Sequence, residues 1–211
     1  MKPLNFERAL VLGAHTDDEF GCSGTMTRLL ESGADVYYAV FSSCEESVPE
    51  GYPGDILIQE VQRSTQVIGL PSDHLILYDF RVRHFPALRQ EILEELVKLR
   101  KELQPDLLLL PAPTDIHQDH QVISREGIRA FKYGTILGYE LPMNTISFQA
   151  ACFIELSEAH LNRKIQALSC YESQTFRPYM DKDFIRSLSK VRGVQAGYGQ
   201  AEAFEAIRLR F

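Results

Sequence analysis

The sequence of 211 residues has no tryptophan, only four cysteines and no long apolar run. No apolar stretch reaches the about 18 residues that a membrane-spanning helix needs, so we predict no membrane span. The short apolar stretch near the N-terminus runs directly into a histidine and acidic residues, which is not typical of a signal peptide. The cysteines are far apart and form no Cys-x-x-Cys pair, so we expect reduced thiols in a cytoplasmic protein.

Positively charged residues are also few. The sequence has 22 lysines and arginines against 29 aspartates and glutamates, so the formal net charge is −7. This balance argues against binding to a nucleic-acid backbone, which usually requires a basic face. The apolar fraction of 45% and the charged fraction of 24% are typical of a folded globular protein. No linker, repeat or low-complexity tract divides the chain, and we expect one domain that spans residues 1–211.

Strand-like and helix-like segments alternate along most of the chain. Compact apolar or β-branched runs predict buried strands at 8–14, 36–41, 74–78 and 106–110. Apolar residues at helical spacing predict helices at 20–32, 56–68, 88–103 and 118–131. The final third is less regular and predicts a strand at 146–154 and helices at 158–170 and 184–191. This alternating order predicts an α/β protein with a Rossmann-like three-layer α/β/α architecture and a mostly parallel sheet.

Ligands of open α/β sheets bind beyond the carboxyl ends of the strands. Two of these places concentrate metal-binding side chains. Segment 14–19 reads Ala-His-Thr-Asp-Asp-Glu, and segment 113–120 reads Pro-Thr-Asp-Ile-His-Gln-Asp-His. Together they hold three of the six histidines. Catalytic zinc commonly takes three His or carboxylate ligands and leaves one position for water, so the two segments predict a shared metal site.

Residue spacing supports this interpretation. His15 and Asp18 are three residues apart, which suits a strand-to-helix turn that brings both side chains to one point. His117 and His120 have the same spacing and would share one face in the first turn of a helix. One of these two histidines can bind the metal while the other faces the substrate. A further carboxylate beside the metal can accept a proton from bound water.

At these segments the sequence resembles the PIG-L/LmbE family of zinc-dependent de-N-acetylases. Segment 14–19 matches the family motif Ala-His-Pro-Asp-Asp-Glu with threonine in place of proline, and segment 117–120 matches His-x-Asp-His. Small residues at 21–25 and the Ser-Gln pair at 173–174 extend the similarity. The resemblance implies an LmbE-like fold. It also implies a hydrolase that removes the N-acetyl group from a small-molecule N-acylated amino sugar or a glycoconjugate.

The resemblance also implies roles for individual residues. It implies that the zinc ligands are His15, Asp18 and His120, although a His₂Asp set also suits other divalent transition metals. Asp17 matches the general base. His117 matches the histidine that stabilises the oxyanion or protonates the leaving amine, and Asp119 matches the acid that orients a neighbouring histidine.

The sequence defines the substrate pocket less well. Arg81 and Arg83 follow the third predicted strand and are candidate contacts to an anionic group on the substrate, although a solvated loop explains them as well. Ser42 begins the polar loop 42–55 and is a candidate sugar contact. That loop is either a rim of the pocket or a plain surface connection. We expect Asp115 to cap the helix at 118–131.

Two other functions stay open. The same metal site would serve an N-deformylase or another N-deacylase acting on a related amine. A catalytically silent, metal-bound homologue that only binds sugar is the other alternative. The presence of Asp17 and of all three presumed ligands favours the hydrolase. No Gly-x-Gly-x-x-Gly motif follows the first strand, which argues against dinucleotide binding.

Overall fold

The structure is a computed structural model and describes residues 1–210. Its strands are β1 (Arg8–Gly13), β2 (Asp35–Val40), β3 (Leu75–Leu77), β4 (Leu107–Pro111), β5 (Thr135–Tyr139), β6 (Cys152–Glu155) and β7 (Ala201–Arg208). Its α-helices are α1 (Ser23–Glu31), α2 (Ile56–Ile68), α3 (Arg89–Leu103), α4 (Gln118–Ala130), α5 (Glu158–Leu168) and α6 (Lys182–Ala196). Together, the strands form one seven-stranded sheet in the order β3-β2-β1-β4-β5-β7-β6.

Strands β1 to β5 are parallel to their neighbours in this group, and β7 runs antiparallel to both β5 and β6. Along β1, Ala9 and Val11 face one apolar cluster while Leu10 and Leu12 face the other. Burial on both faces explains why residues 9–12 of this strand are all apolar. Helices α1, α2, α5 and α6 cover one face, and α3 and α4 cover the other. The predicted three-layer α/β/α fold with a mostly parallel sheet is confirmed.

Several predicted boundaries were wrong. The strand predicted at 146–154 begins only at Cys152, the first residue of β6. The helix predicted at 20–32 is divided into a 3₁₀ turn, Asp18–Gly21, and α1. Strands β5 and β7 were not predicted at all. In β7, the buried glutamates Glu202 and Glu205 interrupt the apolar pattern that marks the other strands.

Among residues 1–210, no helix is long and apolar enough to cross a membrane. All four cysteines are free.

A buried ion pair anchors the start of α1. The carboxylate of Glu202 accepts hydrogen bonds from the backbone N–H groups of Gly24 and Thr25 at 3.0 and 2.7 Å. The Nζ atom of Lys164 on α5 lies 2.7 Å from the same carboxylate, and both side chains are buried. The first N–H groups of a helix have no partner within the helix and favour negative charge. Glu202 therefore fixes the start of α1, the helix that follows segment 14–19 in the sequence.

Because this pair is buried, Glu202→Gln should lower the free energy of unfolding by about 3 kcal/mol. The substitution leaves the charge of Lys164 buried without its counter-charge. Urea denaturation followed by circular dichroism measures the effect. Glu95→Gln is the matched control, because Glu95 pairs with the exposed Lys98 and such pairs contribute little. Equal changes in the two variants would contradict the structural role of Glu202.

Candidate active site

An open cavity of about 810 Å³, including its mouth, lies at the carboxyl ends of β1 and β4. The two motif segments meet there, as the parallel arrangement of their strands requires. Residues from both segments line the cavity, namely His15, Thr16, Asp17, Asp18, His117 and His120.

Local structure positions each segment. Strand β1 ends at Gly13, where an added Cβ would lie 2.7 Å from the hydroxyl oxygen of Tyr38, so a larger residue would displace that side chain. Helix α4 begins after His117, whose Nδ1 accepts a hydrogen bond from the backbone N–H of Asp119 at 3.2 Å. His117 is therefore the N-cap of α4. The prediction that Asp115 caps this helix was wrong.

Three donor atoms converge beside the cavity. His15 Nδ1 and His120 Nε2 are 2.9 Å apart. Asp18 Oδ1 lies 3.3 Å from His120 Nε2 and 3.7 Å from His15 Nδ1. Tetrahedral zinc with ligands at the usual distances separates its donor atoms by about 3.3 Å. The three atoms therefore fit a single divalent ion and leave one side open toward the cavity.

Each of the two imidazoles is held by a carboxylate at its other nitrogen. His120 Nδ1 lies 2.7 Å from Asp115 Oδ2, and His15 Nε2 lies 3.2 Å from Asp119 Oδ2. Such carboxylate–histidine pairs direct the free nitrogen at a metal and raise its basicity. The geometry places Asp119 beside His15, in line with its expected orienting role. It also gives Asp115 an orienting position that the sequence did not reveal.

The charge of the cluster also fits a cation. Burial lowers the pKa of His120, but Asp18 and Asp115 outweigh burial and raise it to about 10. Burial likewise lowers the pKa of His15, and its hydrogen bonds to Asp119 and Asp18 raise it above the ordinary value. The carboxylates thus stabilise positive charge between the two rings. A divalent ion would supply that charge in place of protons.

His117 is close to this group but fits a different role. Ligand atoms of His15, His117 and His120 lie within 4.8 Å of one another. Burial and the positive charge of His120 lower the pKa of His117 to about 4, so its ring is neutral. Because Nδ1 accepts a backbone hydrogen bond, the proton of the neutral ring is on Nε2, which is then a donor. A ring with its only acceptor nitrogen engaged is less suited to a metal, and the ligand set His15, Asp18 and His120 stays a prediction.

The adjacent acids Asp17 and Asp18 differ in basicity. Burial and the negative charge of Asp18 raise the pKa of Asp17. Burial also opposes ionisation of Asp18, but the charge of His120 outweighs it and holds the pKa of Asp18 well below its usual value. Asp18 thus suits a permanent anionic ligand. Asp17, which lies in the cavity wall, suits a proton acceptor.

Comparison with known proteins identifies the family. The family described as PIG-L, GlcNAc-PI de-N-acetylase, matches residues 10–131. This chain belongs to the PIG-L family.

Individual relatives cover nearly all of this PIG-L family member. The diacetylchitobiose deacetylase of Thermococcus kodakarensis is 24% identical over 232 residues, covering 98% of this chain and 85% of the relative. The structure of N,N'-diacetylchitobiose deacetylase from Pyrococcus horikoshii covers 96% of this chain and 84% of its own, with a TM-score of 0.80 and 20% identity. The 4-carboxy-2-hydroxymuconate hydratase of Pseudomonas putida KT2440 also has a TM-score of 0.80, with 17% identity and coverage of 97% and 98%. Similar folds thus occur in proteins named for different reactions.

Glu19, the last acid of the PIG-L motif, is structural. Its side chain is fully buried, and Oε1 accepts hydrogen bonds from the hydroxyls of Tyr171 and Ser64 at 2.6 and 2.7 Å. Burial raises the pKa of Glu19 to about 8. It does not line the cavity.

The predicted substrate contacts fall in two places. Arg83 lines the cavity. Its backbone N–H donates a hydrogen bond to the Asp119 carboxylate at 2.6 Å, and its guanidinium lies 3.5 Å from the carboxylate of Glu46. Arg81 is paired with the same glutamate at 2.5 Å. Ser42 is buried and accepts a hydrogen bond from the backbone of Cys44. Ser42 and Arg81 line a neighbouring surface depression instead of the main cavity.

Loop 42–55 supplies part of the rim through Cys44 and Ser47, which favours the first of the two interpretations of this loop. Other walls of the cavity were not predicted. The segments around 141–144 and 174–179 supply Leu141, Met143, Asn144, Gln174, Arg177 and Tyr179. Only the Ser-Gln pair at 173–174 gave any signal in the sequence.

Because Asp115 holds His120 at the donor triangle, Asp115→Asn should weaken metal binding about 10- to 100-fold. Competition with a chelating dye measures the affinity. Asp79→Asn is the control, since Asp79 is exposed, lies outside the cavity and accepts a hydrogen bond from Ser43. An Asp115→Asn variant with the affinity of the unaltered protein would show that the Asp115 contact does not orient His120 for a metal.

Proposed function

We propose that this chain is a metal-dependent hydrolase that removes the N-acetyl group from an N-acetylated amino sugar or glycoconjugate. The observation that carries the proposal is the convergence of His15, Asp18 and His120 in an open cavity, with Asp17 and His117 also in its wall. Membership of a family described by de-N-acetylation supports it. Zinc is the favoured ion because two imidazoles and a carboxylate with an open position are a common catalytic zinc set.

The proposed residues divide the chemistry among them. A divalent ion held by His15, Asp18 and His120 would polarise the amide carbonyl and lower the pKa of a bound water. Asp17 accepts the proton from the attacking water. The Nε2–H group of His117 donates a hydrogen bond to the carbonyl oxygen as negative charge develops there.

The remaining steps restore the site. Protonated Asp17 returns its proton to the leaving nitrogen, the C–N bond breaks, and acetate and a free amine are released. Asp115 and Asp119 keep the two imidazoles in place throughout. A catalytic base that is more basic than its neighbouring carboxylate serves both proton transfers.

The test is an assay of zinc-loaded protein with N-acetylglucosamine, N,N'-diacetylchitobiose and N-formylglucosamine. We expect acetate and free amine to appear in equal amounts, and protein treated with a chelator to release neither. Faster release of formate than of acetate would favour the N-deformylase instead. Retained metal with no amine from any of these sugars would contradict the proposal and favour a binding protein without activity.

A further inference from the structure

A fixed arginine borders the same cavity. Arg177 lies between α5 and α6, and its Nε donates to Oε1 of Gln174 at 2.6 Å. Its guanidinium carbon is 5.2 Å from the ring centre of Phe176 and 5.8 Å from that of Tyr179. Aromatic rings at these distances attract a cation. The Gln174 amide and these two rings therefore hold the guanidinium beside Asp17. The hydroxyl of Tyr179 donates a hydrogen bond to the Asp17 carboxylate at 3.3 Å.

The amide that holds Arg177 belongs to a buried chain of hydrogen bonds. Gln174 Nε2 donates to the hydroxyl oxygen of Ser173 at 3.0 Å. Ser173 in turn donates to the carboxyl group of Glu60 on α2 through its hydroxyl at 2.6 Å and its backbone N–H at 2.8 Å. Glu60, Ser173 and Gln174 are all buried. Arg177 is thus positioned from the core, which reduces the entropy that it would lose on binding a ligand.

The two Nη groups of Arg177 are unused by the protein. Within the described part of the chain, residues 1–210, only Nε of this guanidinium donates to a protein acceptor. The other arginine in the cavity wall, Arg83, differs because it is paired with Glu46. A free pair of Nη groups matches the two oxygens of a carboxylate or phosphate through parallel hydrogen bonds. A guanidinium without an acidic partner is notable on a chain in which acidic residues outnumber basic ones and the net charge is −7.

We infer that Arg177 determines specificity by binding an anionic substituent, a phosphate or a carboxylate, on the substrate. The inference rests on the proposed function and narrows its substrate to an N-acylated amino sugar that carries such a group. Gln174, Ser173 and Glu60 act as positioning residues for Arg177. Neutral sugars offer the Nη groups no charged partner and are bound more weakly.

Kinetics with three probes test this inference. N-acetylglucosamine 6-phosphate carries a phosphate, N-acetylmuramic acid carries a carboxylate, and N-acetylglucosamine is neutral. We expect kcat/KM to be about 10- to 100-fold higher for one anionic sugar than for the neutral one, which identifies the preferred anion. Arg177→Met should abolish this preference mainly through KM. Arg163→Met, which removes an arginine paired with Glu31 away from the cavity, should leave the preference unchanged.

Calorimetric binding of the same three sugars separates this inference from the proposed function. Tighter binding of an anionic sugar that is lost in Arg177→Met supports the inference even if no sugar is deacetylated. If neither anionic sugar binds more tightly than N-acetylglucosamine, the inference is overturned, whether or not the sugars are hydrolysed. Gln174→Glu keeps Arg177 but places a carboxylate against its guanidinium. This variant should also reduce the anion preference, and an unchanged preference would contradict the positioning role of Gln174.

Discussion

Asp17→Asn should lower the turnover of the best N-acetylated sugar by about 100- to 10,000-fold while the protein keeps its metal. Asparagine has nearly the shape of aspartate but cannot accept the proton of the attacking water. The proposed ligands His15, Asp18 and His120 are untouched. Turnover number and metal content should be measured on the same preparation, because only the combination separates loss of a base from loss of the ion.

Asp73→Asn is the matched control for this change. Asp73 is an exposed acid in the turn before β3, outside the cavity, and its substitution should change neither turnover nor metal content. If Asp17→Asn retained both its metal and near-normal turnover, Asp17 could not be the base. The mechanism would then need another proton acceptor in the cavity.

Asp18→Asn should have the second large effect, this time on the metal itself. The substitution removes the negative charge from the donor triangle and leaves His15 and His120 as the remaining ligands. We expect turnover to fall more than about 100-fold, which exceeds the loss of activity that substitution of a ligand-orienting residue causes. The variant should also lose the ion during gel filtration. Metal analysis of the eluted protein measures this.

The variant Asp115→Asn provides the internal comparison, because it alters the support of His120 and not a ligand. Metal retention should therefore decrease in the order unaltered protein, Asp115→Asn, Asp18→Asn. The reverse order for the two variants would show that Asp18 does not bind the ion directly.

The sequence predicted the parts of this site that depend on local spacing. His15 and Asp18 are neighbours within one turn, and their approach to His120 follows from the adjacent positions of β1 and β4 in the sheet. Parallel strands bring their carboxyl ends to one edge, so the meeting of the two motif segments follows from the fold class. The predicted family is confirmed by the match over residues 10–131, and the predicted α/β/α architecture by the observed sheet and its helices. The roles of the individual residues stay predictions.

Features that depend on distant packing could not be predicted. The helix at 118–131 was predicted to begin where α4 does, but the contact of Asp115 with His120 depends on the path of the loop between β4 and α4, which residue spacing does not predict. Arg177 lines the cavity on a segment that Ser173 anchors to Glu60, which is 113 residues earlier in the chain. Ser42 and Arg81 follow strand ends as expected, yet both line a separate depression and not the main cavity.

The most direct test of the central claim is a crystal structure of zinc-loaded protein with anomalous diffraction data at the zinc edge. The account predicts one zinc ion per chain, coordinated by His15 Nδ1, His120 Nε2 and a carboxylate oxygen of Asp18, with its open position toward the cavity. An ion bound by His117 while Asp18 lies outside coordination distance would contradict it. Absence of an anomalous peak at this position in fully loaded protein would contradict it as well.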